Sequence, residues 1–342
     1  MLAADVGGTK TAVALAAIGR EWPGIIAEDV YSSQDFESFD AVIEDFLARS
    51  DVRAHAQSLA AACVCVAGPV ESDCARTTNL RWTIHAGALA ARFGIPEVRL
   101  INDFAAVAIG IERLEPHAFE TLQQQVDGQP EGPRAVIGAG TGLGVAFMTW
   151  QDGEYRVHPS EGGHADFAPV DEVQDGLLDY LRRQYRRVSY ERVLSGSGLA
   201  QVFQYLTTLD PCSPAMRAAL EGAPDPAVVV SQFGLDRRDP VAVRALDVFA
   251  AVYGAFAGNI ALTVLARGGV YIAGGIAPRI AAKLKDGTLV RAFNDKGRFA
   301  PLLSTIPLRI VMDPRVGLYG ALHVASRLVR KSRKSGRRRP GR

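Results

Sequence analysis

Short apolar runs alternate with amphipathic stretches along most of this chain. LAADVGG is apolar except for Asp5 and stops at Gly7-Gly8; TKTAVALAAI follows, so the pattern predicts two strands joined by a tight glycine turn. GIIAEDVYSS reads as a third strand. In ESFDAVIEDFLARS the apolar positions 39, 42, 43, 46 and 47 have helical spacing. LAAACVCVAGPV is a buried strand ending in Gly-Pro, HAGALAARFG a short helix with Gly94 at its C-terminal cap, and VRLIND the next strand.

The opening pattern then returns. RAVIGAGTGLGVAFMTW (134–150) is again strand, small-residue turn with a threonine, and strand. Helical stretches are expected at 171–186, 197–206 and 239–266. A strand, GVYIAGGIAP, ends in paired glycines, and GLYGALHVASRLV closes the chain as a helix. Two halves that begin alike predict a duplicated α/β architecture with a cleft between the halves. A small domain over 1–105 is completed by a C-terminal helix at about 315–330, and a large domain covers 106–314. At 342 residues, a two-domain chain also agrees with typical domain size.

One strand end stands out. VRLINDFAAVA (98–108) places Asn102 and Asp103 between an apolar strand and an apolar helix. A carboxylate at such a place is costly unless it is paired or does chemistry. As a plain N-cap of a helix starting at Phe104, Asp103 would already be useful; catalysis is the competing reading.

Composition narrows the classes. Hydrophobic residues make up 48% and charged residues 22%, with a formal net charge of +1. This is a globular composition, with nothing global that points to nucleic acid or a membrane. No apolar run is expected to reach the roughly 20 residues of a spanning helix, and the start of the chain lacks the basic segment of a signal peptide. Cys63, Cys65, Cys74 and Cys212 form no CxxC pair, which fits a reduced cytoplasmic protein without structural zinc. The last sixteen residues hold nine Lys or Arg and no acid. Residues 331–342 are therefore expected to be a disordered, solvated basic tail.

Three glycine-rich strand ends carry the candidate chemistry. In DVGGTK (5–10), two glycines admit close approach of a ligand to the backbone. Successive N–H groups there can form an anion-binding concavity, while Thr9 and Lys10 add a hydroxyl and a cation. Asp5 could hold a metal through water. A plain hairpin turn is the simpler reading of this segment alone. GAGTGLG (138–144) and AGGIAP (273–278) have the same character. No Walker A sequence and no G-x-G-x-x-G occur, and three such loops together point to a nucleoside triphosphate clamp. The densest polar cluster is SEGGHADFAP (160–169), with Glu161, His164 and Asp166 around Gly162-Gly163. Glu161 and His164 lack a third ligand at metal-site spacing; carboxylates, imidazole and glycines also suit a polyhydroxylated ligand. SYERVLSGSGLA (189–200) adds Glu191 before a Gly/Ser loop, and Ser189 with Arg192 three places on makes a poor capping box.

ADVGGTK, LINDFAA, GAGTGLG, EGGHADFAP, ERVLSGSGL and IAGGIAP, in this order over about residues 2–325, resemble the bacterial glucokinase family of the Escherichia type, within the sugar kinase/actin-like ATPase fold. Lys10 stands where that family more often has Asn. The related ROK sugar kinases share GGTK but carry a cysteine-rich zinc motif that this chain lacks.

The resemblance implies an α/β, two-domain actin-like ATPase (ribonuclease H-like) fold with a duplicated mixed-sheet core. It implies a glucokinase: ATP-dependent phosphorylation of D-glucose at O6, feeding glycolysis, in the cytoplasm, by a homodimer. ATP would be held by Ala4, Asp5, Val6, Gly7, Gly8, Thr9 and Lys10 and by Gly140, Thr141 and Gly142. Mg²⁺ would sit near Asp5 through water, and Gly196, Gly274 and Gly275 would flank the adenosine. Asn79, Asn102, Asp103, Glu161, His164 and Glu191 would bind glucose, with Asp103 taking the proton of the 6-hydroxyl during transfer. A kinase for another hexose or an amino sugar is the alternative on the same fold. A non-enzymatic sugar sensor is a second, and the chain opens directly on the phosphate-loop strand rather than on a DNA-binding module.

Overall fold

The computed structural model describes residues 1–19, 22–56, 58–77, 80–124 and 129–336, with 332–336 described by their backbone alone. The chain divides into two compact units, one of residues 1–114 and 315–342, the other of residues 115–314.

The first unit is built on a five-stranded sheet. β1 (Leu2–Val6), β2 (Lys10–Ala17) and β3 (Gly24–Ser32) form an antiparallel meander, and α1 (Phe39–Ala48) and the short α2 (Ser50–Arg53) follow. β4 (Ala62–Val66) lies parallel to β1. A small ribbon of β5 (Val70–Glu71), β6 (Cys74–Arg76) and β7 (Thr83–His85) leads to α3 (Ala86–Phe93), which ends at Gly94 in the left-handed conformation, φ 63°. β8 (Val98–Asn102) lies parallel to β4, and α4 (Asp103–Ile111) follows without a break. The sheet order is β3-β2-β1-β4-β8. Its apolar residues alternate between two faces: Leu2, Ala4 and Val6 pack with Phe39, Val42, Phe46 and Leu89 on one side, and Ala3, Cys63 and Cys65 line the other.

The second unit repeats this order. β9 (Phe119–Gln123) joins one edge; β10 (Arg134–Ala139), β11 (Leu143–Gln151) and β12 (Glu154–Ser160) form an antiparallel meander. Helices α5 (Glu172–Arg182), α6 (Gly196–Thr207), α7 (Pro214–Leu220), α8 (Pro226–Leu235) and α9 (Pro240–Val264) come next. β13 (Gly269–Ala273) then lies parallel to β10. After α10 (Ala281–Leu284), α11 (Thr288–Asn294) and α12 (Ala300–Leu303), β14 (Leu308–Val311) lies parallel to β13. The sheet order is β12-β11-β10-β13-β14-β9, the same meander followed by parallel strands, plus one antiparallel edge.

The last helix, α13 (Val316–Gly336), belongs to the first unit and covers the face lined by Ala3, Cys63 and Cys65 with Leu318, Ala321, Leu322 and Ala325. It crosses α4 at small residues. A Cβ on Gly110 would stand 1.9 Å from the Val316 carbonyl oxygen, and one on Gly320 1.9 Å from that of Ala106. The first unit therefore keeps α4, and the division falls after Leu114 rather than after residue 105. α13 also runs to Gly336, so Lys331–Gly336 are helical where a disordered tail was expected from 331. Lys and Arg are good helix formers, and no Gly or Pro interrupts the chain between Leu322 and Ser335. Residues 337–342 lie outside the described residues.

One long apolar run is also present among the described residues, contrary to the expectation. α9 is long and apolar enough to cross a membrane by length and composition, but 67% of its most apolar window is buried in the protein. Phe249, Tyr253 and Phe256 are fully buried from it in the core of the second unit. Its small residues (Ala and Gly alternate with the aromatics) hid the run in the sequence.

Candidate functional site

In the first unit, three parallel strands end side by side. The register aligns Asp5 with Cys65 and Cys65 with Ile101, so Asp5 and the Asn102-Asp103 pair stand at the C-terminal ends of β1 and β8, with β4 between them. Parallel α/β sheets place ligands at such ends.

The 7–10 turn is braced from beneath. Gly7 N–H donates to the Lys10 carbonyl at 2.9 Å, and Ser33 N–H to that of Thr9 at 3.0 Å. The Ser33 hydroxyl donates to the Gly7 carbonyl at 3.0 Å and lies 2.9 Å from the Thr11 hydroxyl. Ser33 and Thr11 are wholly buried, while Thr9 and Lys10 are exposed. The turn is thus fixed by hidden hydroxyls and presents its outer side to solvent.

Asp5 is desolvated, and this burial pushes its carboxyl up to about 6, opposed by a hydrogen bond from Cys65. The Cys65 thiol donates to the Ala4 carbonyl at 3.0 Å. A Cβ on Gly317 would lie 2.4 Å from Asp5 Oδ2, so the first turn of α13 closes directly over the carboxylate. No basic side chain pairs with Asp5 among the described residues, and no group of three or more His, Cys, Asp or Glu suited to a metal occurs there. A lone desolvated carboxylate suits an ion that brings its own phosphate and water ligands, as Mg²⁺ on a nucleotide does.

Asn102 caps α4. Its Oδ1 accepts the Ala105 N–H at 3.1 Å, and its Nδ2 donates to the Gly68 carbonyl at 3.3 Å. The capping role weighed for Asp103 therefore falls to Asn102. Asp103 sits one residue later, as the first residue of the helix, where its Oδ1 accepts the Phe104 N–H at 2.9 Å. An acidic group in the first turn also suits the helix dipole. Asn79 lies outside the described residues.

In the second unit, distant motifs meet. Residues 165–167 run against 188–190: Phe167 N–H donates to the Val188 carbonyl at 3.0 Å and Tyr190 N–H to that of Ala165 at 2.9 Å. This pairing brings Glu191 to His164. His164 Nδ1 is 3.9 Å from Glu191 Oε1, and its Nε2 is 3.9 Å from Glu161 Oε2. Arg187 anchors the cluster, donating to Asp166 at 2.6 Å and to the His164 carbonyl at 3.0 Å.

The cluster leans on the 139–143 loop. Glu191 Oε2 accepts the Leu143 N–H at 3.0 Å. The loop closes on itself through Gly140 N–H to the Gly142 carbonyl at 2.8 Å, and Gly196 N–H reaches the Gly140 carbonyl at 2.9 Å. Gly274 has φ 81°, and a Cβ there would meet the Ala139 oxygen at 2.5 Å. Gly140, Thr141, Gly142, Glu191, Gly196 and Gly274 are thus neighbours, with Gly275 next in the chain. Tyr253, wholly buried, accepts the Ala139 N–H at 3.0 Å and so finishes the strand where the loop begins; burial pushes its phenol well up.

Comparisons with known proteins give the family. A family profile described as Glucokinase matches residues 2–328. The chain belongs to the glucokinase family. A glucokinase of Nostoc sp. (strain PCC 7120) is 41% identical over 343 residues, covering 96% of this chain and 99% of its own. One of Photorhabdus laumondii is 36% identical, covering 94% and 95%. Among solved structures, a glucokinase from an Antarctic psychrotroph superposes with a TM-score of 0.78 at 28% identity, over 95% of this chain and 98% of its own. A ROK family glucokinase from Streptomyces griseus, solved with glucose and AMPPNP, shares the fold with a TM-score of 0.64 at 20% identity, over 95% and 99%. The family is one of sugar kinases, and the two α/β units with mixed sheets are consistent with a two-domain sugar kinase.

Ser33, Thr11, Gly317, Arg187 and Tyr253 escaped the sequence reading. None lies in a glycine-rich motif, and each acts through a partner that is distant in the chain.

Proposed function

We propose that the protein transfers the γ-phosphoryl group of ATP to O6 of D-glucose, giving glucose 6-phosphate and ADP, as an early step of sugar use in the cytoplasm. The observation that carries this reading is the meeting of Glu161, His164 and Glu191 with the 140–142 loop. Carboxylates and an imidazole suit the hydroxyls of a sugar, and a bare backbone turn suits phosphate.

The 4–10 segment, with Thr9 and Lys10 at its outer side, and the 140–142 loop serve the phosphates; Gly196, Gly274 and Gly275 serve the nucleoside. Glu161, His164 and Glu191 take hydroxyls of the sugar, together with Asn79 and Asn102. Asp103 accepts the proton of the 6-hydroxyl as the O6–P bond forms and the bond from phosphorus to the ADP oxygen breaks. Phosphoryl transfer asks little covalent work of a protein, so positioning and electrostatics do most of it. Asp5 would hold Mg²⁺ through water, which when bound neutralises charge on the phosphates. The matching strand order of the two sheets supports an actin-like ATPase (ribonuclease H-like) fold, and the family resemblance implies a homodimer.

A coupled assay of the purified protein across hexoses and phosphoryl donors tests the reaction. Glucose with ATP should give the highest kcat/KM. A clear preference for another hexose, an amino sugar or a different donor would overturn the substrate assignment.

A further inference from the structure

Glu191 faces two ways. Oε1 lies on the His164 side, 3.9 Å from Nδ1, and Oε2 accepts the Leu143 N–H at 3.0 Å. The same residue, Leu143, is met on its carbonyl side by the EGGH segment, since a Cβ on Gly163 would stand 2.0 Å from the Leu143 oxygen. Both sugar-cluster segments therefore grip one residue of the glycine-rich loop.

Gly142, next to it, does not need to be glycine for its backbone: its φ lies outside the left-handed region, unlike that of Gly274. Among the described residues, a Cβ at 142 would meet only Glu191, with Oε2 at 2.5 Å and Cδ at 3.4 Å. Those atoms end a flexible side chain, so a methyl group there is accommodated by moving the carboxylate and leaves the backbone in place.

We propose that Glu191 is a positioning residue that couples the sugar cluster to the phosphate loop, so that glucose and the nucleotide each strengthen binding of the other. The proposal rests on the reading of Glu161, His164 and Glu191 as sugar ligands and of 140–142 as a phosphate cradle. A sugar hydroxyl donating to Oε1 fixes the side chain in the orientation in which Oε2 holds Leu143. The ordering cost is then met once for both ligands, which makes the second binding event more favourable. Such coupling is reciprocal by thermodynamic necessity.

Calorimetry on the full-length protein tests this, with glucose titrated into nucleotide-free protein and Mg·AMPPNP titrated with and without saturating glucose. Glucose should tighten AMPPNP binding by about fivefold or more, the lower range of known couplings. Gly142→Ala, although it lies on the nucleotide loop, should raise the glucose Kd of nucleotide-free protein by about fivefold and bring the AMPPNP ratio near one, on the same scale, with little change in Tm. Glu191→Ala should bring the AMPPNP ratio near one as well, because it removes both carboxylate oxygens, the acceptor for the Leu143 N–H and the one that faces the sugar. The proposal falls if glucose and AMPPNP bind the unaltered protein independently, if Gly142→Ala folds and leaves nucleotide-free glucose binding unchanged, or if Glu191→Ala keeps the full coupling. Protein that binds no glucose at all would overturn the sugar reading and the coupling together; protein that binds glucose without coupling would overturn only the second.

Discussion

Asn102 and Asp103 divide two tasks at one strand end: the Asn102 side chain closes the first turn of α4 by accepting the Ala105 N–H at 3.1 Å, and Asp103 follows as the first helical residue. Removing the cap should therefore be a stability change. Asn102→Ala should lose about 0.5–2 kcal/mol in chemical denaturation, the usual effect of losing a cap. Asn102→Asp should recover most of it, because the carboxylate also accepts the Ala105 N–H.

The hydroxyl pair under the first turn gives a separable effect. Ser33→Ala leaves the Gly7 carbonyl and the Thr11 hydroxyl without their buried partner, a loss of about 1–3 kcal/mol. Steady-state kinetics should show a higher KM for ATP and a nearly constant KM for glucose. A change confined to glucose would detach the 7–10 turn from the nucleotide.

Metal dependence should run through Asp5. Activity should vanish in EDTA and return with Mg²⁺. Gly317→Ala puts a methyl group 2.4 Å from the present Asp5 Oδ2 position, so the carboxylate must move. The Mg²⁺ concentration for half-maximal rate should rise several-fold while the glucose KM stays put. Full turnover without a divalent cation would remove this role.

The sugar cluster should show the opposite selectivity. A site built to hydrogen-bond hydroxyls leaves polar groups stranded when one partner is removed. His164→Ala should raise the glucose KM much more than the ATP KM. Arg187→Ala, acting through the His164 carbonyl, should do the same to a smaller extent. An effect on ATP alone would reassign the motif.

Much of this organisation was legible in the chain. Both meanders announce themselves by a glycine-threonine turn between apolar strands, at 7–10 and at 138–144, because a tight turn restricts residue types. The motif residues of the second unit, from Gly140 to Gly275, are neighbours as their chemistry suggested. Other parts were hidden for physical reasons. β12 reads EYRVHPS and holds a proline, which weakens a strand reading away from a sheet edge, and β14 is the four-residue LRIV, too short to show a period. The division after Leu114 depends on α4 meeting α13 at Gly110 and Gly320, a contact between segments some two hundred positions apart that no local pattern carries. The cap was misplaced by one residue because Asn and Asp are equally good at that position.

The most direct measurement concerns Asp103. Asp103→Asn keeps the side chain's shape and an oxygen for the Phe104 N–H but cannot take a proton. With Asn102 still capping α4, the loss in stability should be about the dipole contribution of one half-buried charge, up to ~2 kcal/mol. Glucose binding measured by calorimetry without ATP should weaken little. The kcat for ATP-dependent phosphorylation of glucose should fall by at least about 10²-fold, the low end of what a general base contributes. An Asp103→Asn protein that turns over at more than about a tenth of the unaltered rate, a loss smaller than any general base should leave, would contradict the assignment of Asp103 as the base.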